Sequence, residues 1–300
     1  MAVTIIPSPS KASIQMDGAL RLIRYMPFPR LLALLNDRLT FTPLRLLGLG
    51  NDPSECQPIT DSKVIVNELR SIKRHGAFFR ELKRGASKWA RIALESNAPY
   101  RNDYLARRFH EYIGETRAAS CWFANNFESA AMWASYAPQG VAVEADLDGI
   151  KSALPSNREF IIAAVRYRIR DKFRIDAGNA EGFPHMLLRP YLLKGREFEH
   201  EKEVRIVTRC GPDQEWFHVR ARRFIRCIRR VVISPYIDPD SASGLKKHIE
   251  ALLEEKFVRM KTPLVEFSSI NRRFMEQRAA RAITIKRYYA REHDKDSVPL

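Results

Sequence analysis

The sequence lacks most of the features that mark a secreted, metal-binding or membrane protein. It has four cysteines in 300 residues, widely spaced and without a CxxC pair. Such cysteines are typical of buried, reduced side chains and not of a disulfide framework or a zinc site. The seven histidines are dispersed without the spacing of metal ligands, so no metal site is expected.

Targeting signals and local catalytic motifs are also missing. A bilayer span needs about 18 consecutive apolar residues, and no uncharged run of that length occurs. Residues 1–9 lack the basic start and the cleavage pattern of a signal peptide. We therefore expect a cytoplasmic protein that does not enter a membrane. The chain contains no P-loop, GxGxxG, HExxH or GxSxG motif, so local motifs do not identify the chemistry.

Positive charge is the property that the sequence has in excess. Lys and Arg number 51 against 35 Asp and Glu, a formal net charge of +16. A field of this sign attracts polyanions, of which nucleic acid is the most common, so DNA or RNA is a candidate partner. A solvated arginine-rich surface without a partner is an equally simple explanation.

The order of helical and strand-like segments predicts an α+β fold. Short apolar strands are scattered between helical segments, which favours a mixed or antiparallel central sheet with flanking helices. The most helical stretch, about 62–117, is predicted to be an insertion that packs beside the sheet. A strand is also predicted at 161–168 and a helix at 185–194. We expect one domain over residues 19–270, a loose lead-in at 1–18, and a polar, partly basic tail at 271–300.

The strongest local signal is the segment from Glu201 to Val207. Alternate residues of a strand share a face, so Glu201, Glu203 and Arg205 are predicted to line one side of a strand. Two carboxylates beside a cation suit proton transfer or hydroxyl binding. An exposed strand face with a structural ion pair is the plainer alternative.

Three further groups are candidates for a binding site. Asn51 and Asp52 precede Pro53 in a predicted turn. Trp133 and Tyr136 are three apart and share a helix face, where core packing is the alternative to ring stacking. Glu144 stands in an apolar strand, and a buried carboxylate is costly unless it is paired. We expect the segments around Tyr25, Asn51, Trp133, Glu144 and Glu203 to come together, because polar residues in apolar strands need partners.

In these motifs the sequence resembles the bacterial family called domain of unknown function 2971. The matching motifs are Ile23-Arg24-Tyr25, Phe41-Thr42, Asn51-Asp52-Pro53-Ser54-Glu55, Cys121–Phe123, Met132–Ala137, Gly140–Glu144, and Lys194 with Phe198, Glu201, Glu203 and Arg205. The resemblance covers roughly residues 20–255 and implies no particular activity.

The order of these residues is also similar to that in mono-ADP-ribosyltransferases. That resemblance implies that Arg24 or Tyr25 holds NAD, that Thr42 orients its nicotinamide side, and that Glu201 and Glu203 act near the ribose. NAD is therefore a candidate substrate, and Glu203 is expected to matter most for activity with little effect on stability.

A nucleic-acid-binding protein, catalytic as a nuclease or not, is the alternative. Arginines are dense between Arg220 and Arg230, and Arg222, Phe224 and Arg226 would share one face of a strand there. Such a face suits phosphate contacts, although a charged edge strand looks the same. A defence-related interaction module without chemistry is a third possibility.

Overall fold

The computed structural model describes residues 3–6, 20–47, 98–125, 127–168, 186–257 and 263–270. Three sequence predictions fall outside these ranges: the turn that carries Asn51 and Asp52, the helical stretch from 62 to 97, and the tail from 271 to 300.

Strands in the described part of the chain follow the apolar segments seen in the sequence. They are β1 (Val3–Ile6), β2 (Arg21–Pro27), β3 (Arg38–Pro43), β4 (Arg117–Phe123), β5 (Gly140–Asp146), β6 (Phe160–Ala164), β7 (Arg166–Arg168), β8 (Leu193–Gly195), β9 (Glu203–Arg209), β10 (Phe217–Arg220), β11 (Ile228–Ile233) and β12 (Leu264–Phe267).

Several helices in the described residues begin at residues that favour a helix start. At two of them a side-chain oxygen caps the first turn: Ser129 accepts from the Met132 amide and Asp238 from the Ser241 amide. The helices are α1 (Phe28–Leu35), α2 (Leu44–Leu47), α3 (Ala98–Thr116), α4 (Ala130–Tyr136), α5 (Leu147–Ala153) and α6 (Pro239–Lys256), with 3₁₀ helices at Met186–Leu192, Arg196–Glu201 and Phe224–Cys227. None of these helices is long and apolar enough to cross a bilayer.

The central sheet is mixed and mostly antiparallel. Its strand order is β1-β6-β9-β4-β2-β5-β11-β12, with parallel pairs at its two ends, β1 with β6 and β11 with β12. Strand β3 pairs with β4 at only two positions and continues into a ribbon with β10. This confirms the predicted α+β class with a central sheet.

Helices cover both faces of the sheet because alternate strand residues are apolar on both sides. One face carries a large cluster that includes Leu31 of α1, Ile150 of α5 and Ile249 of α6. The other face carries two smaller clusters, one with Phe109 of α3 and one with Trp133 of α4. Helix α3, the described part of the predicted insertion, thus packs against the sheet.

The structure corrects four local predictions. Residues 3–6 of the expected lead-in are a strand paired with β6. The helix expected at 185–194 is a 3₁₀ helix followed by β8, because Pro190 cannot donate an α-helical hydrogen bond. The strand expected at 161–168 is divided between β6 and β7. The strand expected from Glu201 begins at Glu203.

Gly140 allows β5 to approach β2 at the start of their pairing. A Cβ atom there would lie 2.3 Å from the Met26 carbonyl oxygen and 3.1 Å from the Ala137 Cβ. The Met26 carbonyl belongs to the backbone of β2 and cannot move aside without a cost in free energy. We therefore expect Gly140→Ala to lower the free energy of unfolding by about 1–3 kcal/mol in urea titrations.

Gly244 is the matched control for this substitution. It lies in α6, and no atom stands within 4 Å of the position that a Cβ atom would take there. Gly244→Ala should leave stability unchanged or raise it by about 0.5–1 kcal/mol, because alanine favours the helix. Equal effects of the two substitutions would contradict the close approach at Gly140.

Candidate functional site

Four charged side chains form a buried ion network on one face of the sheet. The Arg205 Nε donates to the Glu203 Oε1 (2.8 Å) and its Nη2 to the Oε2 (3.0 Å). The Lys194 Nζ lies 2.7 Å from Glu201 Oε2 and 3.0 Å from Glu203 Oε2. Each of these residues is at most 4% exposed. Two carboxylates and two cations balance, as buried charges must.

The network draws its members from three elements. Glu203 and Arg205 share a face of β9, as the sequence predicted, and Lys194 comes from β8. Glu201 is instead the last residue of a 3₁₀ helix. Lys202 adopts the left-handed conformation (φ 47°, ψ 50°) and ends the strand alternation. Glu201 therefore reaches the network by a turn of the chain and not along the strand.

Tyrosines add hydrogen bonds around the two carboxylates. The Tyr136 hydroxyl donates to Glu201 Oε1 (3.0 Å), and the Tyr167 hydroxyl accepts from the Glu203 amide (2.7 Å). Burial raises the pKa of both hydroxyls well above the usual range, and the neighbouring carboxylates add to this rise. Both tyrosines therefore remain protonated, and Tyr136 acts as a permanent donor to Glu201.

Glu203 is ionised in the folded protein. Burial alone would raise the pKa of this carboxyl, but Arg205 and Lys194 outweigh that cost and hold it well below its usual range. Both oxygens accept hydrogen bonds from Arg205, and the residue is 2% exposed. In this arrangement Glu203 is a structural counter-ion and does not present an oxygen to solvent.

An aromatic cluster continues from the network along the same face. Phe123 pairs with Glu203 across the β4–β9 ladder, and its ring lies 5.2 Å from that of Tyr136. The Tyr25 ring meets Trp133 edge-on at 4.8 Å. Burial raises the pKa of Tyr25 to about 12. Tyr25, Trp133 and Tyr136 thus lie in one contiguous group with the network, as predicted.

Arg24 and Thr42 are not part of this group. Arg24 points to the opposite face of β2, where it donates to Ser120 Oγ (2.8 Å) and to the Thr40 carbonyl (3.1 Å). Neighbouring strand residues face opposite sides, so Arg24 and Tyr25 cannot both reach Glu203. Thr42 pairs with Ala119, while Glu203 pairs with Phe123 at the other end of β4. Of the two residues that the resemblance offers for NAD, Arg24 therefore does not meet Glu203, whereas Tyr25 lies in the contiguous group; Thr42 does not meet Glu203 either.

Glu144 belongs to a second ion network. Its carboxylate is 2.6 Å from the Arg230 Nε and 3.6 Å from the Arg21 Nη1, and Arg230 also bonds Glu266 at 3.2 Å. The predicted need for a partner is confirmed. Strands β2 and β4 separate β5 from β9, so the expected convergence of Glu144 with Glu203 is wrong.

The predicted nucleic-acid face of Arg222, Phe224 and Arg226 does not form. Arg223 is left-handed (φ 61°), and residues 224–227 are a 3₁₀ helix and not a strand. Phe224 is fully buried beside Trp122 (5.9 Å between ring centroids) because its apolar ring gains more in the core than between exposed arginines.

A different basic surface is present on the β3–β10 ribbon. Trp216, His218 and Arg220 alternate along one edge of it, and His218 and Arg220 pair with Thr40 and Arg38 of β3. Arg30, at the surface of α1, adds its charge near His218. We call this surface the basic ribbon; its members are Arg30, Arg38, Thr40, Trp216, His218 and Arg220.

A groove adjoins the basic ribbon at His218. Its volume is about 730 Å³, and its lining comes from the end of α5 and the loop after it (residues 152–158) and from β10 and the turn that follows. The described residues that line it include Arg158, His218, Arg220 and Arg222, and none of them is acidic. We call it the basic groove. Of the predicted nucleic-acid residues, it contains Arg222.

Sequence reasoning missed the basic ribbon, although one signal for it was present. The alternation Trp216-x-His218-x-Arg220 places an aromatic, a histidine and an arginine on one face of a short strand. Arg38 and Arg30 could not be joined to them from the sequence, since they lie far away in the chain. Lys194 was visible only as part of the resemblance.

Known proteins do not extend these observations. Comparisons with protein-family models, curated proteins and solved structures found no match. Within the described ranges, no group of three or more His, Cys, Asp or Glu side chains is arranged to hold a metal ion. The resemblance to the family of unknown function stays a prediction from its motifs.

Glu203→Gln tests the ion network. Removing one charge leaves Lys194 and Arg205 facing a single carboxylate, so we expect a loss of about 3–5 kcal/mol in the free energy of unfolding at pH 7. This prediction differs from the sequence-based expectation of a small effect on stability. Glu199→Gln, one turn earlier and 56% exposed, is the matched control and should have little effect.

The difference between wild type and Glu203→Gln should depend on pH. The folded-state pKa of Glu203 is depressed, so its contribution is complete above the unfolded pKa and is lost as the pH falls below about 4. Urea unfolding from about pH 7 down to about pH 2.5 should show the two proteins converging. A difference that stays constant over this range would contradict an ionised Glu203.

Proposed function

We propose that this protein binds nucleic acid through the basic ribbon and the basic groove. The observation that carries the proposal is the state of three exposed arginines. Among the described residues, Arg30, Arg38 and Arg220 form no ion pair, so their charges are available to a ligand. Unneutralised arginines around a groove are the electrostatic signature of a phosphate-binding surface.

Several arginines elsewhere in the described fold are neutralised. Arg229 pairs with Asp146 and Arg230 with Glu144, although both lie in the arginine-rich segment that the sequence singled out. Arg209 pairs with Glu159. Pairing thus removes part of the positive charge from other surfaces, whereas Arg30, Arg38 and Arg220 keep theirs.

A buried cation strengthens the field beneath the ribbon. Arg24 is 7% exposed, and its guanidinium donates to a carbonyl of β3 and a serine hydroxyl, not to a carboxylate. Burial lowers the pKa of Arg24 to about 10, so it is still charged at neutral pH. Its charge, with those of Arg38 and Arg30, acts on His218.

The groove supports the proposal by its shape and lining. A volume of about 730 Å³ admits a length of sugar-phosphate backbone, and arginines at both walls can donate to phosphate oxygens. The Arg158 guanidinium is held in place over the Phe217 ring (5.5 Å) and by the Arg209 carbonyl (3.3 Å). A positioned donor loses less entropy on binding than a free one.

ADP-ribosyl transfer from NAD has less support. It requires a carboxylate that reaches a substrate, whereas Glu203 is fully paired with Arg205, and Arg24 and Thr42 lie elsewhere. It stays a prediction from the order of residues.

The double substitution Arg38→Gln/Arg220→Gln tests the proposal. Fluorescence anisotropy with labelled DNA and RNA strands of about 15 nucleotides should show tight binding by the wild type at low salt. We expect the double variant to bind on the order of 10-fold more weakly. Its salt slope should be smaller by about 0.7 for each phosphate of a single strand that is no longer neutralised.

Arg107→Gln/Arg108→Gln is the control for this experiment. Both arginines are exposed on α3, outside the ribbon and the groove, and the change in net charge is identical. The control should bind nearly as the wild type does. An equal loss in both double variants would mean that net charge alone attracts the ligand, and no binding by the wild type would refute the proposal.

A further inference from the structure

Trp216 is an exposed aromatic side chain in an unusual place. It is 59% exposed and stands directly before β10, at the end of the basic ribbon. A single exposed ring needs no explanation by itself, but the apolar body and polar N–H of a tryptophan suit an interface with a partly polar ligand. The neighbouring Phe217 side chain points to the other side of the strand and stacks on Phe41 (5.7 Å between ring centroids). Phe217, and not Trp216, therefore supplies the apolar packing of this segment.

Trp216 and His218 form an open pair of rings. Their centroids are 5.3 Å apart and their planes meet at 72°. An edge-to-face pair covers at most one face of one ring, which leaves other ring faces accessible. The Thr40 Oγ1, 3.2 Å from the His218 Nδ1, fixes the orientation of the imidazole.

The surroundings keep the His218 ring mostly neutral at neutral pH. Partial burial lowers its pKa below the usual value, and the charges of Arg38, Arg30 and Arg24 lower it further. A neutral imidazole stacks on a nucleobase, while the arginines around it meet the phosphates. In this arrangement the two rings would contact a base and the arginines would contact the phosphates of the backbone.

We propose that Trp216 and His218 are a base-stacking platform and that the ligand is single-stranded nucleic acid. This inference rests on the proposed function and names its substrate class. Bases in a duplex already stack on one another, so only an unpaired strand offers its base faces to side chains.

The two rings and Arg220 form a row along the ribbon. The Trp216 and His218 rings contact each other with centroids 5.3 Å apart, so they form one platform for an unpaired base and not two separate ones. Arg220 follows His218 by two residues, about 6.8 Å farther along the ribbon, and continues the row toward the groove.

The path of the nucleic-acid strand over the protein follows from the charges on either side of Trp216. Trp216 also borders a second groove, whose charged lining is Glu115, Asp213, Glu215 and Arg45. Phosphates would be repelled there and attracted on the opposite side, where Arg220 and Arg158 lie. We infer that the backbone runs from Trp216 along the ribbon into the basic groove.

The test compares two probes with equal numbers of phosphates. An oligothymidylate of about 15 nucleotides and an abasic oligonucleotide of the same length differ only in their bases. The wild type should prefer oligothymidylate, and Trp216→Ala should reduce its affinity by about 5- to 150-fold, the range expected for one stacked base. Binding of the abasic probe should not change.

Three variants separate the platform from the cations and from folding. Trp216→Phe keeps a ring and should recover much of the preference. Phe127→Ala removes another aromatic that is 66% exposed and should change neither probe. Arg38→Gln/Arg220→Gln should weaken the binding of both probes by the same factor and leave the ratio of the two affinities unchanged. Thermal midpoints confirm that each variant is folded.

The outcomes distinguish the two proposals. If the wild type binds both probes equally, or if Trp216→Ala leaves their ratio unchanged, the platform is refuted while phosphate binding stands. Tighter binding of a duplex of the same length than of the single strand would also overturn it. A ribonucleotide probe of the same length, compared with oligothymidylate, decides between RNA and DNA. If none of the three probes binds, the proposed function itself fails.

Discussion

Glu203 and Arg205 lie where the central sheet would otherwise have a continuous apolar face. The ion network that they form with Lys194 and Glu201 separates the apolar cluster under α3 from the one under α4. Burying four charges is costly unless each is paired, so this face of the sheet can close only when β8, β9 and the intervening 3₁₀ helix adopt their mutual positions. The network thus fixes the arrangement of three elements at once.

The same constraint explains why the network is a poor site for chemistry. A carboxylate can stabilise a developing charge only if it faces the reacting atoms, and here the carboxylate oxygens of Glu203 are occupied by Arg205. Burial and pairing make the side chain important for the fold. The residues that most resembled a catalytic signature are therefore those that the structure uses as internal counter-ions.

Function is better supported where charges remain unpaired. Strand β3 pairs with the main sheet only at Thr42 and Pro43, and its earlier residues form a ribbon with β10. The ribbon holds His218 and Arg220 away from the buried carboxylates of the core. The basic ribbon and groove join cations from distant parts of the chain around exposed rings. A ligand whose phosphates bind arginines and whose bases stack on rings needs the arginines and the exposed rings next to each other.

The sequence by itself determined the α+β class, most strand positions and the need of a buried carboxylate for a cation. Apolar alternation over a short range marks a strand such as β5, and a glutamate within it, Glu144, predicts a cation nearby. Glu203 and Arg205 were likewise placed on one face by their spacing alone. These properties depend on the local alternation of apolar and polar residues, which can be seen in residues close together in the sequence.

Only the tertiary structure decided which charges meet. The left-handed Lys202 takes Glu201 out of the strand, and the 3₁₀ helix buries Phe224, neither of which follows from a period of two. Arg38 and Arg220 are paired across a ladder although they are far apart in sequence. Whether an arginine is neutralised or left for a ligand depends on long-range strand order, because a charge pairs with what is near it in space.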